Sequence, residues 1–310
     1  ASVTAMLISF FAGRRIIRWL QKKQIGETIR DLGLEGQMQK KGTPTMGGVI
    51  IILAITVPVL LFCDLTNIYT QLLLLTTLWC GGIGFADDYI KVFKHNKEGM
   101  SERGKLILQI LLGLIVGLTV CFNNDIVVRE KVNVAEASNG TTYLPQGSSG
   151  LDVDSETIVS SSGWKMENIV KSTKTTIPFV KDHEFDYKWL SPFQGAWGWY
   201  CKWAIYLLMI VIVITACSNG TNLTDGMDGL AAGSSAIVGI VIGIIAWLSG
   251  NLINSNYLNI MYIPGSGEVA VFMSIFVGAL FGFLWYNSYP AQVFMGDTGS
   301  LAIGGIIGVS

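Results

Sequence analysis

Apolar segments long enough to form membrane-spanning helices recur along the chain. About 20 consecutive apolar residues cross the hydrocarbon core of a bilayer. Runs of this kind predict spans at 46–63, 70–86, 105–122, 199–217, 230–249 and 269–286. Shorter apolar stretches at 1–12 and 299–310 predict the end of one further helix and the start of another. The pattern therefore predicts an all-α polytopic integral membrane protein.

The low content of charged residues agrees with this interpretation. Only 14% of the 310 residues are charged and 51% are hydrophobic, whereas a soluble domain carries about 25% charged residues. The five cysteines lie in or beside the apolar runs and lack metal-binding spacing, which favours a packing role over metal or redox chemistry. We expect membrane lipids around the helices and no nucleic-acid partner.

The positions of the basic residues predict which side of the membrane each loop faces. Cytoplasmic loops are enriched in Lys and Arg. Residues 14–45 contain eight of these residues and residues 87–105 contain five, out of 21 in the chain. Two intervening helices place both loops on one side, which we assign to the cytoplasm. Alternation then predicts that 123–198 lies outside, and that 218–229 and 287–298 lie inside.

The long outer segment divides the helices into two groups, so we predict units at 1–122, 123–198 and 199–310. Its Ser- and Gly-rich composition, including GTTYLPQGSSG, predicts a partly β extracytoplasmic insertion. We assign it no catalysis, because it lies across the membrane from the motifs that follow. A scaffolding role for this segment remains an alternative.

Five aspartates lie at or near helix ends on the predicted inner face. They are Asp87, Asp88, Asp225, Asp228 and Asp297. Loops 218–229 and 287–298 contain no Lys, Arg or His, so we expect the converging carboxylates to need a cation. Carboxylate oxygens together with water and substrate phosphates suit Mg²⁺, and ionisable groups near a bilayer are usually functional. The alternative is that each aspartate is an ordinary helix cap.

The adjacent pair Asp87 and Asp88 predicts two different roles. Neighbouring residues on a helix point about 100° apart, so both cannot face one target squarely. Lys91 follows them at a spacing that reaches either carboxylate. We expect one carboxylate to face a metal or phosphate and the other to fix Lys91. A plain surface ion pair is the alternative.

Three further motifs on the predicted inner face suit a phosphate-bearing ligand. QKKGTPTMGG combines two lysines with a Gly-Thr-Pro-Thr turn, which suits phosphate oxygens. SNGTNLTDGMDGLAAG alternates polar side chains with glycines that allow close backbone approach, ahead of a helix N-terminus that favours anions. NSYPAQVFMGDTGS brings an aromatic ring, which can stack on a base, near Asp297. A solvated basic loop, ordinary turns and a core Phe are the alternatives.

Taken in order, these motifs resemble the bacterial phospho-N-acetylmuramoyl-pentapeptide transferases, also called translocase I. The wider superfamily transfers N-acetylhexosamine 1-phosphates to polyprenyl phosphates. The residues that carry the resemblance are GTPTMGG, DDYIK, NLTDGMDGLA and NSYPAQVFMGDTGS. The resemblance implies an enzyme of the bacterial inner membrane with ten transmembrane helices, of which about eight would be present here. It also implies a homodimer with its active site on the cytoplasmic face.

The resemblance further implies a reaction and its cofactor. Phospho-MurNAc-pentapeptide would pass from UDP-MurNAc-pentapeptide to undecaprenyl phosphate, giving UMP and the lipid-linked intermediate lipid I, with Mg²⁺ as cofactor. Asp297 matches the family's magnesium ligand, and Asp87 and Asp88 match its paired active-site aspartates, the first often assigned as a base. Lys91 and Asp228 are the other catalytic candidates. The positions that match the family's nucleotide pocket are Lys40, Thr45, Asn222, Asp225, Asn287 and Phe294.

The chain departs from the family pattern in two places. The late His-rich cytoplasmic motif is absent before Ser310, and we expect a chain truncated at both ends. The segment 123–198 is longer than the usual family loop. Two rival functions stay open: a sister transferase that uses a UDP-N-acetylhexosamine without a peptide, and a secondary transporter. A transporter would place its carboxylates near the bilayer midplane, and the predicted helix-end positions argue against that.

Overall fold

The protein is a helical bundle with a small β-containing segment, as seen in a computed structural model. The residues described are 1–22, 43–94, 99–131, 167–176, 184–190, 192, 196–258 and 260–310. In this part of the chain the helices are α1 (Ser2–Lys22), α2 (Gly48–Phe62), α3 (Ile68–Phe93), α4 (Glu102–Phe122), α5 (Ala196–Thr224), α6 (Leu230–Ser249), α7 (Leu252–Leu258), α8 (Gly267–Asn287) and α9 (Gly296–Val309). The predicted ligand Lys40 lies outside the described residues.

Five of the described helices, namely α3, α4, α5, α6 and α8, are long and apolar enough to cross a membrane, and α2 is a shorter apolar helix. These helices confirm the predicted all-α membrane protein. Several are longer than the apolar runs that predicted them. The first helix continues to Lys22 instead of ending near residue 12, and α5 continues through Asn222 to Thr224. At the end of α5, Asn222 pairs with Asp297 and Ser300 of a neighbouring helix.

The described residues between α4 and α5 form two short antiparallel two-stranded sheets. Strands β1 (Val128–Lys131) and β2 (Glu167–Val170) pair with Val128 opposite Val170. Strands β3 (Lys174–Thr176) and β4 (Glu184–Asp186) pair with Thr175 opposite Phe185. A 3₁₀ turn follows, and its Tyr187 ring lies 5.4 Å from that of Tyr206 on α5. The partly β character predicted for this segment is therefore present in its described residues.

Loops meet at two opposite ends of the bundle. At one end, the Asp64 N–H donates to Glu268 Oε2 at 3.0 Å, and Asn67 donates to the Gly265 carbonyl at 3.2 Å. These links join the α2–α3 loop to the start of α8. The other end gathers the C-terminal ends of α3 and α5 with the N-terminal ends of α2, α4 and α9. This arrangement agrees with the predicted alternation, and the assignment of that end to the cytoplasm stays a prediction.

The C-terminal helix α9 lies in the centre of this bundle. It packs against α3 and α5, and its residues from Thr298 to Ile306 are buried. Close approach depends on small residues, because a methyl group at Gly304 would overlap the backbone oxygen of Cys217 on α5. Interfaces between membrane helices are enriched in such small residues. The central position of α9 places its first turn, which carries Asp297, among the ends of the other helices.

A second close contact joins α1 to α8. A methyl group at Gly278 would overlap the backbone oxygen of Ser2, and the Tyr286 hydroxyl donates to the Phe10 carbonyl at 2.7 Å. The rings of Phe272, Phe276 and Phe283 on α8 are also fully buried. The α1–α8 pair therefore forms part of the core, although α1 carries several arginines.

We predict that Gly278→Ala destabilises the protein, because the added methyl group cannot fit against α1. Gly233 in α6 is the matched control, since a methyl group there meets nothing within 4 Å. Replacing an unhindered helical glycine by alanine stabilises a helix by up to about 1 kcal/mol. Thermal unfolding in detergent should therefore show a lower Tm for Gly278→Ala and an unchanged or higher Tm for Gly233→Ala. Equal Tm values for the two variants would contradict the tight contact.

Candidate active site

Three aspartates from two helices converge at the end of the bundle where the motifs meet. Asp87 and Asp88 lie near the end of α3, and Asp297 lies in the first turn of α9. One carboxylate oxygen from each lies within 4.8 Å of the others. Asp87 is fully buried and Asp88 nearly so, whereas the Asp297 side chain is 16% exposed. Asp225 and Asp228 do not belong to this group, so the predicted convergence of five aspartates reduces to three.

Asp88 caps the first turn of α9. Its Oδ1 accepts from the Asp297 N–H at 3.2 Å. Its Oδ2 accepts from the Thr298 N–H at 2.9 Å and from the Thr298 hydroxyl at 2.6 Å. The first N–H groups of a helix lack partners within the helix, and Met295, which precedes α9, supplies no side-chain cap. A carboxylate from a distant part of the chain therefore performs the capping role.

Asp87 faces two lysines and a backbone amide. Its Oδ2 lies 2.6 Å from Lys91 Nζ, one helical turn away. Its Oδ1 lies 2.9 Å from Lys105 Nζ on α4 and accepts from the Met100 N–H at 2.7 Å. Three donors thus surround a carboxylate that has no exposure of its own. An unpaired charge at this depth would cost several kcal/mol, and the two ion pairs with Lys91 and Lys105 offset that cost.

The same two lysines also contact Asp297. Its Oδ2 lies 2.6 Å from Lys105 Nζ and 3.2 Å from Lys91 Nζ. Its Oδ1 accepts from the Asn222 amide on α5 at 3.0 Å. The expectation of carboxylates without neighbouring bases was therefore incomplete, because the bases come from α3 and α4 and not from the loops that carry the aspartates.

Lys105 is a candidate site residue that sequence reasoning missed. It stands just before an apolar run, where a lysine is typical of any cytoplasmic helix end. In the sequence it therefore indicated only which side of the membrane its loop faces. Its spacing from Asp87 follows no helical rule, since the two residues belong to different helices. The pairing of Asp87 with Lys91, by contrast, matches the predicted spacing. Asp88 faces the start of α9, a partner that no local pattern indicates.

The Gly-Thr-Pro motif and the last motif are joined by backbone hydrogen bonds. The Phe294 N–H donates to the Pro44 carbonyl, and the Gly47 N–H donates to the Phe294 carbonyl, each at 2.8 Å. Thr45 and Phe294 are both half-buried, and the Thr45 hydroxyl and the Asp88 carboxylate both lie close to Gly296. The structure thus brings two of the predicted nucleotide-pocket residues to one place, while Lys40 lies outside the described residues.

Asn287 and Asp228 hold the remaining motifs together. The Asn287 side chain accepts from the Gly229 N–H at 3.0 Å and donates to the Val293 carbonyl at 2.9 Å. Asp228 Oδ2 accepts from the Ala291 N–H at 3.3 Å. These contacts connect the loop before α6 with the loop before α9. Asn287 is 3% exposed, which indicates that its amide positions the loops.

The donor set can hold a metal ion. Hard divalent cations prefer carboxylate oxygens, and Asp87, Asp88 and Asp297 present three carboxylates close together. The Asp88 oxygens already accept three hydrogen bonds from α9. Asp297, which is the most exposed of the three, therefore fits a metal best, with Asp87 beside it.

We predict that Gly84→Ala disrupts this site, because a methyl group there would overlap the Asp297 carbonyl oxygen. The clash pushes the first turn of α9 away from the Asp88 cap. Gly82, on the same helix, is the matched control, since a methyl group there meets nothing within 4 Å. Thermal unfolding with and without Mn²⁺ should show that Gly84→Ala lowers Tm and loses metal stabilisation, which depends on binding to the folded state. A metal-induced shift in Gly84→Ala equal to that in Gly82→Ala would refute this packing.

Comparison with known proteins agrees with the motifs. The glycosyl transferase family 4 matches residues 167–310, and signature 1 of phospho-N-acetylmuramoyl-pentapeptide-transferase matches residues 40–52. A phospho-N-acetylmuramoyl-pentapeptide-transferase of Parabacteroides distasonis is 52% identical over 309 residues, covering 100% of this chain and 69% of its own length.

Two further relatives carry the same name. The protein of Flavobacterium psychrophilum is 53% identical over 309 residues, covering 100% of this chain and 71% of its own. The protein of Bacteroides fragilis is 49% identical over 310 residues, covering 100% of this chain and 69% of its own. Identity of this level over the whole chain leaves one assignment: this protein belongs to the phospho-N-acetylmuramoyl-pentapeptide-transferase family.

Proposed function

We propose that this protein transfers phospho-MurNAc-pentapeptide from UDP-MurNAc-pentapeptide to undecaprenyl phosphate, releasing UMP and forming lipid I. The observation that carries the proposal is the cluster of Asp87, Asp297, Lys91 and Lys105 at one end of a membrane bundle. Such a position suits a reaction between a water-soluble nucleotide and a membrane-bound phosphate. We place this end at the cytoplasmic face of the bacterial inner membrane, in a homodimer surrounded by lipid.

The two lysines can offset the repulsion between the two anionic substrates of this reaction. Both substrates are anionic, so a phosphate that attacks a diphosphate must overcome repulsion between like charges. Lys91 and Lys105 are 36% and 17% exposed, so their ammonium groups can reach phosphate oxygens while they remain anchored to Asp87. Charge-assisted hydrogen bonds of this kind are about twice as strong as neutral ones. Preorganised cations stabilise the charge that develops in the transition state.

Asp297 is our proposed ligand for Mg²⁺. When bound, Mg²⁺ supplies Lewis-acid stabilisation for the donor diphosphate and the leaving UMP. Asn222 holds Asp297 Oδ1, and Asp88 holds its backbone N–H. The carboxylate is thereby fixed on two sides, which orients it without further reorganisation. Asp88 acts in this account as a positioning residue.

Asp87 has a holding role in the proposal. The attacking lipid phosphate has a second pKa of about 6, so it is largely ionised at neutral pH and needs no strong base. The Asp87 oxygens meanwhile contact Lys91, Lys105 and the Met100 amide. We infer that Asp87 aligns the two lysines toward the substrate phosphates and does not accept a proton.

The donor specificity rests on the first motif. Backbone hydrogen bonds join the half-buried Phe294 to Pro44 and Gly47, the segment that contains Thr45, and we propose that the Phe294 ring stacks on the uracil. Asn222 and Asp225 on α5 and the following loop would contact the rest of the nucleotide, as would Lys40. The match of residues 40–52 to the muramoyl-specific signature favours the peptide-bearing donor over a plain UDP-N-acetylhexosamine.

UMP release from the two donors tests the proposal directly. The protein in detergent should release UMP from UDP-MurNAc-pentapeptide when undecaprenyl phosphate and Mg²⁺ are both present, and chelation should stop the reaction. Faster release from UDP-N-acetylglucosamine would reassign the chain to the sister activity. Substrate uptake into proteoliposomes without any covalent product would favour a transporter.

We predict that Asp297→Ala lowers UMP release by at least about 100-fold, the scale expected when one preorganised electrostatic contact is lost. Asp64→Asn, at the opposite end of the bundle, is the control and should keep normal activity. Mg²⁺ titration of both variants measures the effect. Normal Mg²⁺-dependent turnover in Asp297→Ala would remove this residue from the metal site.

We predict that Asp87→Asn lowers turnover by the same factor at neutral and alkaline pH. A holding role requires this result because the attacking phosphate is ionised at both pH values. A pH profile of UMP release for the variant and the wild type provides the measurement. A loss that shrinks as the pH rises would identify Asp87 as a base, and near-normal turnover would exclude both roles.

A further inference from the structure

Gln109 carries a fully buried amide within α4, a helix apolar enough to span a membrane. Its Nε2 donates to Ser218 Oγ at 3.2 Å and to Asn219 Oδ1 at 3.4 Å. Its Oε1 accepts from the Asn219 amide at 2.8 Å. Gln109 and Asn219 thus form a reciprocal amide pair between α4 and α5. Burying an amide is costly without such partners, so the pair holds only in one alignment of the two helices.

This pair lies one helical turn below the candidate active site. Gln109 follows Lys105 by four residues on α4, and Asn219 precedes Asn222 by three on α5. Residues at these spacings share one face of a helix. Lys105 contacts Asp297 Oδ2 and Asn222 contacts Asp297 Oδ1. The amide pair and the contacts with Asp297 therefore form two successive layers between the same helices.

The lower layer also includes α9. The Ser218 hydroxyl donates to the Leu301 carbonyl at 3.2 Å, and Leu301 follows Asp297 by one helical turn. Through Ser218, Gln109 on α4 is thus connected to α5 and α9, the helices that carry Asn222 and Asp297 in the layer above. A slide of α4 by one residue would move Lys105 by about 1.5 Å along the axis. Such a slide would break the amide pair and the Lys105 contact together.

We propose that Gln109 is a positioning residue that sets the reach of Lys105 toward Asp297 and the substrate phosphates. This inference rests on the proposed function for its effect on turnover. A leucine at 109 would fill similar space and pack well in a membrane helix, and hydrogen bonds between membrane helices contribute little to stability on average. We therefore attribute the amide pair to the alignment of α4 with α5, and not to a contribution to the stability of the bundle.

A double-mutant cycle with Gln109→Leu and Lys105→Met separates alignment from stability. Gln109→Leu should lower UMP release by roughly 10- to 100-fold, the effect of a misplacement of about 1 Å. In the Lys105→Met background it should cause no further loss, because the group that it positions is absent. Val116→Ala, a buried apolar change on the same helix, is the control; it should lower Tm and leave turnover unchanged.

Mn²⁺ binding, followed by electron paramagnetic resonance without substrates, gives a readout independent of turnover. Lys105→Met should tighten Mn²⁺ binding by roughly tenfold, because it removes a positive charge in contact with the carboxylates. Gln109→Leu should also tighten Mn²⁺ binding, but by a smaller factor. The double variant should have the same Mn²⁺ affinity as Lys105→Met. If the wild type releases no UMP, the proposed function fails, and this second cycle still decides the role of Gln109. The inference would be overturned if the effects of the two substitutions on turnover or Mn²⁺ affinity simply multiplied in the double variant. It would also be overturned if Gln109→Leu and Val116→Ala had the same turnover and Mn²⁺ affinity.

Discussion

The buried carboxylate of Asp88 holds the first turn of α9 against the end of α3, and the geometry of the site depends on this contact. Three donors from Asp297 and Thr298 satisfy its two oxygens. The backbone contact at Gly84 permits the close approach that these bonds require. With the start of α9 fixed in this way, the Asp297 side chain points toward the lysines of α3 and α4. The cap formed by Asp88 therefore fixes the position of the proposed metal ligand Asp297.

Asp87 and Asp88 have different partners because neighbouring side chains on one helix point about 100° apart. Asp88 turns toward α9, while Asp87 turns toward Lys91 and Lys105. The two lysines bridge Asp87 and Asp297, so carboxylates hold each ammonium group while each lysine side chain stays partly exposed. This arrangement explains how a site rich in aspartates can accept two anionic substrates. The positive charge is supplied by neighbouring helices, and the aspartates determine where it lies.

The sequence predicted the spans, the shared end of the motifs and the pairing of Asp87 with Lys91, because each follows from local spacing. It did not predict the cap formed by Asp88, the contacts of Lys105 or the amide pair of Gln109. Those contacts join residues that are far apart in the chain, and no periodicity encodes them. Apolar runs also underestimated the lengths of α1, α3 and α5. At the end of α5 the polar Asn222 is stabilised by its contact with Asp297, which an apolar run does not indicate.

The central claim is that Asp297 is available to a metal and that Asp88 is not, because its oxygens are committed to α9. An anomalous difference map from crystals grown with Mn²⁺ tests this claim most directly. The account predicts a Mn²⁺ peak within coordination distance of the Asp297 carboxylate and none within that distance of Asp88. A peak bonded to Asp88, or one held by Asp225 and Asp228 instead of Asp297, would contradict it.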